Sequence, residues 1–443
     1  RRKQAEKGKA MKRVSTVTCI LAAALGLTLL AAPLGALAQQ APEKPAAKPA
    51  AKASAKDKRA PKQSVAKQQG ATGEPAAGAA GKAPSFDTDV RNAILVDYQT
   101  GQVMFEKAAD ERIGPASMSK MITIYLAFEQ IKKGQLKMDD TMAVSDKTWK
   151  DWNNRGSTMF IPARSRVKVE DLLRGIIIQS GNDACVVLAE GMYGSEAAFA
   201  DAANKRAKEL GLTDSHFTNS TGWPDPDHYM TVRDLATLGK RLIDDFPEYY
   251  PMFKEKDFVF NNTRQGNRNP LLYKDTGADG IKTGHTEEAG FGLTASAVRS
   301  GRRIIMAVHG LSNMRQRAGE AERLLDWGFR AFTTYTLFKP GDKVAEAEIW
   351  LGEKLKVPAT VDQDVAVTMA REARRDLKVQ VVTEEPAPAP VKKGDKLGKL
   401  VVSAPGVQTR EIPLLAAEDV DKLGTLARIG VSLGYVLLGP SSK

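Results

Sequence analysis

Residues 39–84 contain no aromatic residue and no Leu, Ile or Met, so that stretch has nothing from which to build a core. Whatever this chain folds into must begin near Ser85, where hydrophobic patterning starts abruptly. The same break divides the charge. The whole net excess of +12 lies before residue 85, as 16 Lys+Arg against 4 Asp+Glu, whereas the 359 residues that follow carry 49 of each. That distribution speaks against a basic nucleic-acid-binding body, and no nucleic-acid partner is expected. With 42% hydrophobic residues the chain can bury a sizeable core but is no polytopic membrane protein. Its two cysteines, Cys19 and Cys185, make no disulfide framework once Cys19 falls in an export signal.

That signal is expected at residues 1–38. Met11 is followed by Lys12 and Arg13, an apolar run from Val17 to Ala32, and small residues at Ala36 and Ala38. The order is that of a secretory signal peptide cleaved after Ala38, with residues 1–10 lying ahead of a natural-looking start. An uncleaved membrane anchor is the alternative. Residues 39–84 then form an Ala/Lys/Pro-rich tether, either simply solvated or drawn by its charge to anionic lipid or wall polymer.

From Ser85 the patterning predicts an α+β fold, an antiparallel sheet flanked by helices. Val90–Val96 and Gln102–Lys107 are expected as a hairpin around Thr100-Gly101. After Pro115, Met118, Met121, Ile122, Leu126, Phe128 and Ile131 follow helical spacing up to Gly134. Helical stretches are expected at 169–193, interrupted by Ser-Gly-Asn, and at 196–210, 231–245 and 318–332. Strands fill 278–310 between them.

Three short motifs carry the chemistry: Ser117-Met-Ser-Lys120, Ser180-Gly-Asn182 and Lys282-Thr283-Gly284. Ser-x-x-Lys also occurs at Ser64–Lys67, in the tether, and at Ser165–Lys168, in a polar turn. Only Ser117 opens a patterned helix. A Ser there has unsatisfied backbone N–H groups beside it, and Lys120 lies one turn on along the same face. A desolvated Lys can become neutral and accept the Ser proton. An N-capping Ser with an exposed Lys is the plainer alternative. Ser180-Gly-Asn182 breaks an apolar stretch, which costs energy unless its polar groups find partners. It offers a hydroxyl for proton relay and an amide for substrate or for Lys120, or else is a simple helix break. Lys282-Thr-Gly, beside Gly280, permits close backbone approach of a peptide at a strand edge; a surface turn is the alternative.

Together the motifs resemble the penicillin-binding and serine β-lactamase superfamily. The stretches GPASMSKMIT, IIIQSGNDA, DGIKTGHTEEAGFGLTASA and ERLLDWGFRAF look like the D-alanyl-D-alanine carboxypeptidases among low-molecular-mass penicillin-binding proteins. The resemblance covers about residues 85–338 and extends more weakly to the C-terminus. It implies Ser117 as acylated nucleophile and Lys120 as its base. Ser180 and Lys282 would share proton transfer to the leaving amine, and Asn182 would position the substrate amide. Thr283, with Gly284 on the same strand, and Arg317 would hold the substrate carboxylate, Arg315 being the competing choice. The backbone N–H groups of Ser117 and His285 would form the oxyanion hole. The implied substrate is the peptidoglycan stem peptide, and β-lactams would acylate the same Ser. No cofactor is implied. The four histidines show no zinc-type spacing, so no metal is expected.

The remainder, 339–413, is expected as a small β-rich domain, from AEAEIWLG, DVAVTMA, LKVQVVT and KLGKLVVSA. Residues 414–443 are expected to form an amphipathic helix lying on the membrane, too short in its apolar part to span it, or a helix packed on the β domain. The expected location is the periplasmic face of the cytoplasmic membrane. Two rivals share the motifs: a DD-endopeptidase of the same fold, and a secreted serine β-lactamase, which would need a further acid for which the sequence offers no convincing motif. A wall-binding scaffold with a decayed site is disfavoured because all three motifs are intact.

Overall fold

The computed structural model describes residues 84–383 and 386–430; the expected signal, tether and final residues lie outside them. The first hairpin pairs β1 (Asn92–Asp97) with β2 (Val103–Lys107) around Gly101, whose φ of 71° suits the turn. A 3-10 turn, Ala116–Ser119, then runs directly into α1 (Lys120–Lys132), whose first nine residues are all buried. A helix buried all round must lie inside the domain rather than on it.

Around α1 come β3 (Thr141–Ala143), α2 (Asp146–Trp152), β4 (Arg166–Lys168) paired with β3, and α3 (Val169–Arg174). The next helical stretch does not continue as one rod. A π-type turn at Gly175–Gln179 ends at Ser180 in the left-handed region, φ 65° and ψ 33°, and α4 (Asn182–Tyr193) starts afresh. The helices α5 (Glu196–Glu209) and α6 (Val232–Asp245) follow, capped by Ser195 and Thr231, and then a small hairpin of β5 (Asp257–Phe260) and β6 (Thr263–Gly266).

The strands β7 (Ala278–Thr286), β8 (Gly290–Arg299) and β9 (Arg302–Leu311) complete an antiparallel sheet ordered β2-β1-β9-β8-β7. First and last segments thus pair at its centre, and β7 is an edge. Side chains alternate across it. Ile94, Ile281, Ile305 and Ala307 join the α1 core, while Ala93, Leu95, Ile304, Met306 and Val308 pack under α7 (Met314–Ala331). The sheet is sandwiched between helices, the expected α+β architecture. Helix α7 starts four residues before the expected Ala318, because the Asn313 side chain accepts from the Gln316 N–H at 2.8 Å and caps it.

The C-terminal part is richer in strands than expected. β10 (Phe332–Phe338) pairs with β13 (Val365–Ala370), so a segment grouped by sequence with the catalytic part belongs to the pairing pattern of the next. β11 (Lys343–Trp350), β12 (Lys356–Thr360), β14 (Lys378–Thr383), β15 (Ala387–Pro388), β16 (Lys396–Ala404) and β17 (Val407–Ala416) form a second sheet. The expected start of the terminal helix at 414 is corrected. β17 continues to Ala416, and Val420 is 2% exposed and bridges Val391. Only residues from 425 onward are helical, and they are described as far as Gly430. Among the described residues no helix is long and apolar enough to cross a membrane.

Candidate active site

The 3-10 turn places Ser117, half-buried, one turn before Lys120, which is fully buried. The Lys120 Nζ lies 3.0 Å from the Ser117 Oγ. It also donates to the Asn182 Oδ1 at 2.7 Å and to the Thr221 carbonyl. The Asn182 amide is held in that sense because its Nδ2 donates to the Arg155 carbonyl at 3.1 Å. A tetrahedral nitrogen therefore spends two directions on obligate acceptors and turns the third to the Ser117 hydroxyl. In the neutral amine that third direction is a lone pair. Burial pushes the Lys120 ammonium down to about 8, and the Arg268 charge pushes the same way.

The broken helix supplies the second wall. The left-handed Ser180 turns its hydroxyl to Lys282, whose Nζ donates to it at 2.9 Å and to the Thr283 carbonyl at 3.2 Å. Burial drives Lys282 well below its ordinary value, helped by Lys120, Arg268 and Arg317. Asp183 fixes this turn from beneath. Its carboxylate is 4% exposed and accepts from the N–H groups of Met159, Ile161 and Ala184.

Strand β7 closes the cleft. A Cβ on Gly284 would lie 2.8 Å from the Pro115 carbonyl oxygen and 3.2 Å from the Met118 nitrogen, so glycine alone allows the strand this close to the Ser117 turn. Gly222 does the same from the other side, with φ 73° and a notional Cβ 2.0 Å from the Ala116 oxygen. Thr283 is buried; His285 is exposed and stacks on Phe291 at 3.8 Å between ring centres. Arg317 is buried on the first turn of α7, whereas Arg315 is exposed. The Arg317 guanidinium faces Phe291, donates weakly to the Arg268 carbonyl at 3.4 Å, and leaves its Nε without a partner. Burial lowers it to about 10, so it stays charged at neutral pH. A buried guanidinium with a spare N–H is a receptor for a carboxylate.

All three motifs thus meet: Ser117, Lys120, Ser180, Asn182 and Lys282 form two hydrogen-bonded groups joined through Gly181. Ser165 instead donates to the Pro162 carbonyl on the surface, and Ser64 lies outside the described residues. The sequence reading missed Arg268, Asp183 and the Thr221 carbonyl. Asp183 had a signal, a carboxylate set in an apolar stretch. Arg268 had none, since it sits in the loop after β6 and reaches the cleft only through the tertiary fold. Among the described residues no cluster of three or more His, Cys, Asp or Glu could hold a metal ion.

This chain is similar to known proteins over both of its parts. The D-alanyl-D-alanine carboxypeptidase family model matches residues 78–313, and the model of the penicillin-binding protein 5 C-terminal domain matches 332–422. The D-alanyl-D-alanine carboxypeptidase DacC of Escherichia coli (strain K12) is 40% identical over 353 residues, 79% of this chain and 88% of that protein. The crystal structure of penicillin binding protein 5 from Haemophilus influenzae superposes with a TM-score of 0.70 at 34% identity, covering 77% of this chain and all of that one. Penicillin-Binding Protein D2 from Listeria monocytogenes, in its ampicillin-bound form, matches at TM-score 0.51 and 26% identity over 56% of this chain and 99% of its own. The chain belongs to the D-alanyl-D-alanine carboxypeptidase family of penicillin-binding proteins.

Proposed function

We propose that this protein is a serine-type carboxypeptidase that removes the terminal D-alanine from peptidoglycan stem peptides. The observation that carries the proposal is the Lys120 amine, fully buried and within hydrogen-bond distance of both Ser117 and Asn182. The Ser117 Oγ attacks the carbonyl of the penultimate D-alanine and passes its proton to neutral Lys120. The backbone N–H groups of Ser117 and His285 receive the oxyanion. The C–N bond then breaks. D-Alanine leaves as its amine takes that proton from Lys120, relayed through Ser180 and Lys282, and water hydrolyses the ester, its hydrogen restoring the Ser117 hydroxyl. Arg317 and Thr283 hold the substrate carboxylate, in a cleft where the buried Arg317 guanidinium, still charged at neutral pH, favours an anion. Gly284 lets the strand come close enough for the substrate to pair along it, with Asn182 on its amide. A β-lactam carries a strained amide in the same place and acylates the same hydroxyl; the ampicillin-bound relative supports this.

The segment 85–331 is the catalytic part and 332–422 a β-rich support. The protein is exported through residues 1–38 and held at the periplasmic face of the membrane by its C-terminal end. Support for the last point is local: Leu426 and Ile429, on the final described helical residues, are 87% and 60% exposed. The test of the activity is product analysis on purified muropeptides. Free D-alanine and stems shortened by one residue are expected. Split cross-linked dimers without free D-alanine would make the enzyme an endopeptidase, and rapid turnover of penicillin would make it a β-lactamase.

A further inference from the structure

The segment Thr218-Asn-Ser-Thr-Gly-Trp223 carries the Thr221 carbonyl that accepts from Lys120, and it is held by side chains that the reaction chemistry does not use. An Asn three residues ahead of a Gly favours a turn in which the side-chain oxygen stands in for a backbone carbonyl. Here the Asn219 Oδ1 accepts from the N–H groups of Thr221 at 3.1 Å, Gly222 at 2.8 Å and Trp223 at 3.1 Å, and from the Thr221 hydroxyl at 3.0 Å. Its Nδ2 donates to the Trp223 carbonyl at 3.1 Å and to the Thr218 hydroxyl at 3.2 Å. Three backbone donors on one side fix the sense of the amide.

The Gly222 N–H and the Thr221 C=O belong to one planar trans peptide and point in opposite directions. Asn219 therefore holds the hydrogen end of a rigid plate whose oxygen end receives the Lys120 Nζ. Its pull also polarises the peptide, which makes that oxygen a better acceptor. The chain just before is tied down separately. The Ser220 carbonyl accepts from the Thr123 hydroxyl of α1 at 2.8 Å, and the Ser220 N–H and hydroxyl donate to the Glu196 carboxylate of α5 at 3.2 and 2.7 Å. Ser220 thus secures the packing of the turn, and the orientation of the Thr221–Gly222 peptide falls to Asn219.

We infer that Asn219 is a positioning residue for the acylation step, acting through the Thr221–Gly222 peptide to fix the direction of the Lys120 amine. With the plate held, two Lys120 N–H bonds stay on Asn182 and Thr221, and the remaining direction stays on the Ser117 hydroxyl. Without Asn219 the plate can rotate about its flanking bonds, since Gly222 brings no side-chain restraint of its own. The amine then loses one of the two acceptors that aim it. The inference rests on the acyl transfer proposed at Ser117.

The test is single-turnover acylation of the purified protein by a fluorescent penicillin, read as a rate constant and an amplitude. A variant that is merely less well folded loses amplitude and keeps its rate constant. Asn219→Ala should lower the rate constant about tenfold, the effect of one typical hydrogen bond. Asn219→Ser, whose shorter hydroxyl still accepts from nearby backbone N–H groups, should fall between the two, and it carries the comparison where Asn219→Ala does not fold. Ser220→Ala loses the hydroxyl bond to Glu196 but keeps the backbone ties, so it should melt at a lower temperature with its rate constant unchanged. Asn219 variants that acylate as fast as the unaltered protein, or an equal slowing in Ser220→Ala, would overturn the positioning role and leave the activity standing. Failure of the unaltered protein to acylate would overturn the activity and the positioning role together.

Discussion

In the proposed reaction Lys120 is the residue on which the chemistry turns, and its surroundings set its protonation. A fully buried ammonium is costly unless it is paired or loses its proton, and here its close partners are neutral oxygens. A base lowered to about 8 is mostly protonated at pH 6, so kcat/KM should climb about tenfold per pH unit there and level off above about 8. A pH profile flat from 6 to 9 would contradict Lys120 as the base. Arg268 helps hold that value down, so Arg268→Gln should move the midpoint to higher pH, measured as the same profile. Lys120→Ala should slow acylation by penicillin by about 10²–10⁴-fold. The Ser, Lys and Asn of this site were legible because their types and spacings are informative. Arg268 and the Thr221 carbonyl were not, because a loop residue and a backbone oxygen leave no pattern.

At the scale of elements, the site is made by close approach. Gly222 in the left-handed region sits against the Ala116 carbonyl, while Gly194, also left-handed at φ 80°, has nothing within 4 Å of a notional Cβ. Gly194→Ala should therefore cost only the backbone conformation, about 1 kcal/mol. Gly222→Ala adds a clash with backbone and should cost about 3 kcal/mol, with slower labelling by a fluorescent penicillin. Urea unfolding of both variants measures the difference, and equal losses would contradict the packing argument. Periodicity made most helices and the three late strands legible. It failed where conformation overrides pattern. Ser180 takes a left-handed turn whose partners lie on distant segments: Lys282 donates to its hydroxyl, and the neighbouring Asp183 is tied to the Met159 N–H. β12 and β17 were missed because Pro358 and the polar run Gln408–Glu411 hide their alternation.

Over the whole molecule, the catalytic sheet is joined to the β10–β13 pair of the β-rich part through buried Asp97 at the end of β1. Its carboxylate takes the Arg302 guanidinium at 2.9 Å and the Thr334 hydroxyl of β10 at 3.0 Å, and Thr100 bridges it to Thr368 of β13. The β-rich part is thereby seated on the strand that pairs at the centre of the catalytic sheet. Its own end carries exposed Leu426 and Ile429. Since Val420 and Lys422 still bridge the β-rich part, truncation should begin after Leu423. Removing 424–443 should shift the protein from the membrane fraction to the soluble one; retention in the membrane would contradict the anchor. The proposed reaction turns on one hydroxyl, that of Ser117. The direct measurement is peptide mapping by mass spectrometry after brief exposure to benzylpenicillin. The account predicts one penicilloyl adduct, on the fragment that contains Ser117, absent from Ser117→Ala. An adduct on another serine, or one that persists in that variant, would contradict it.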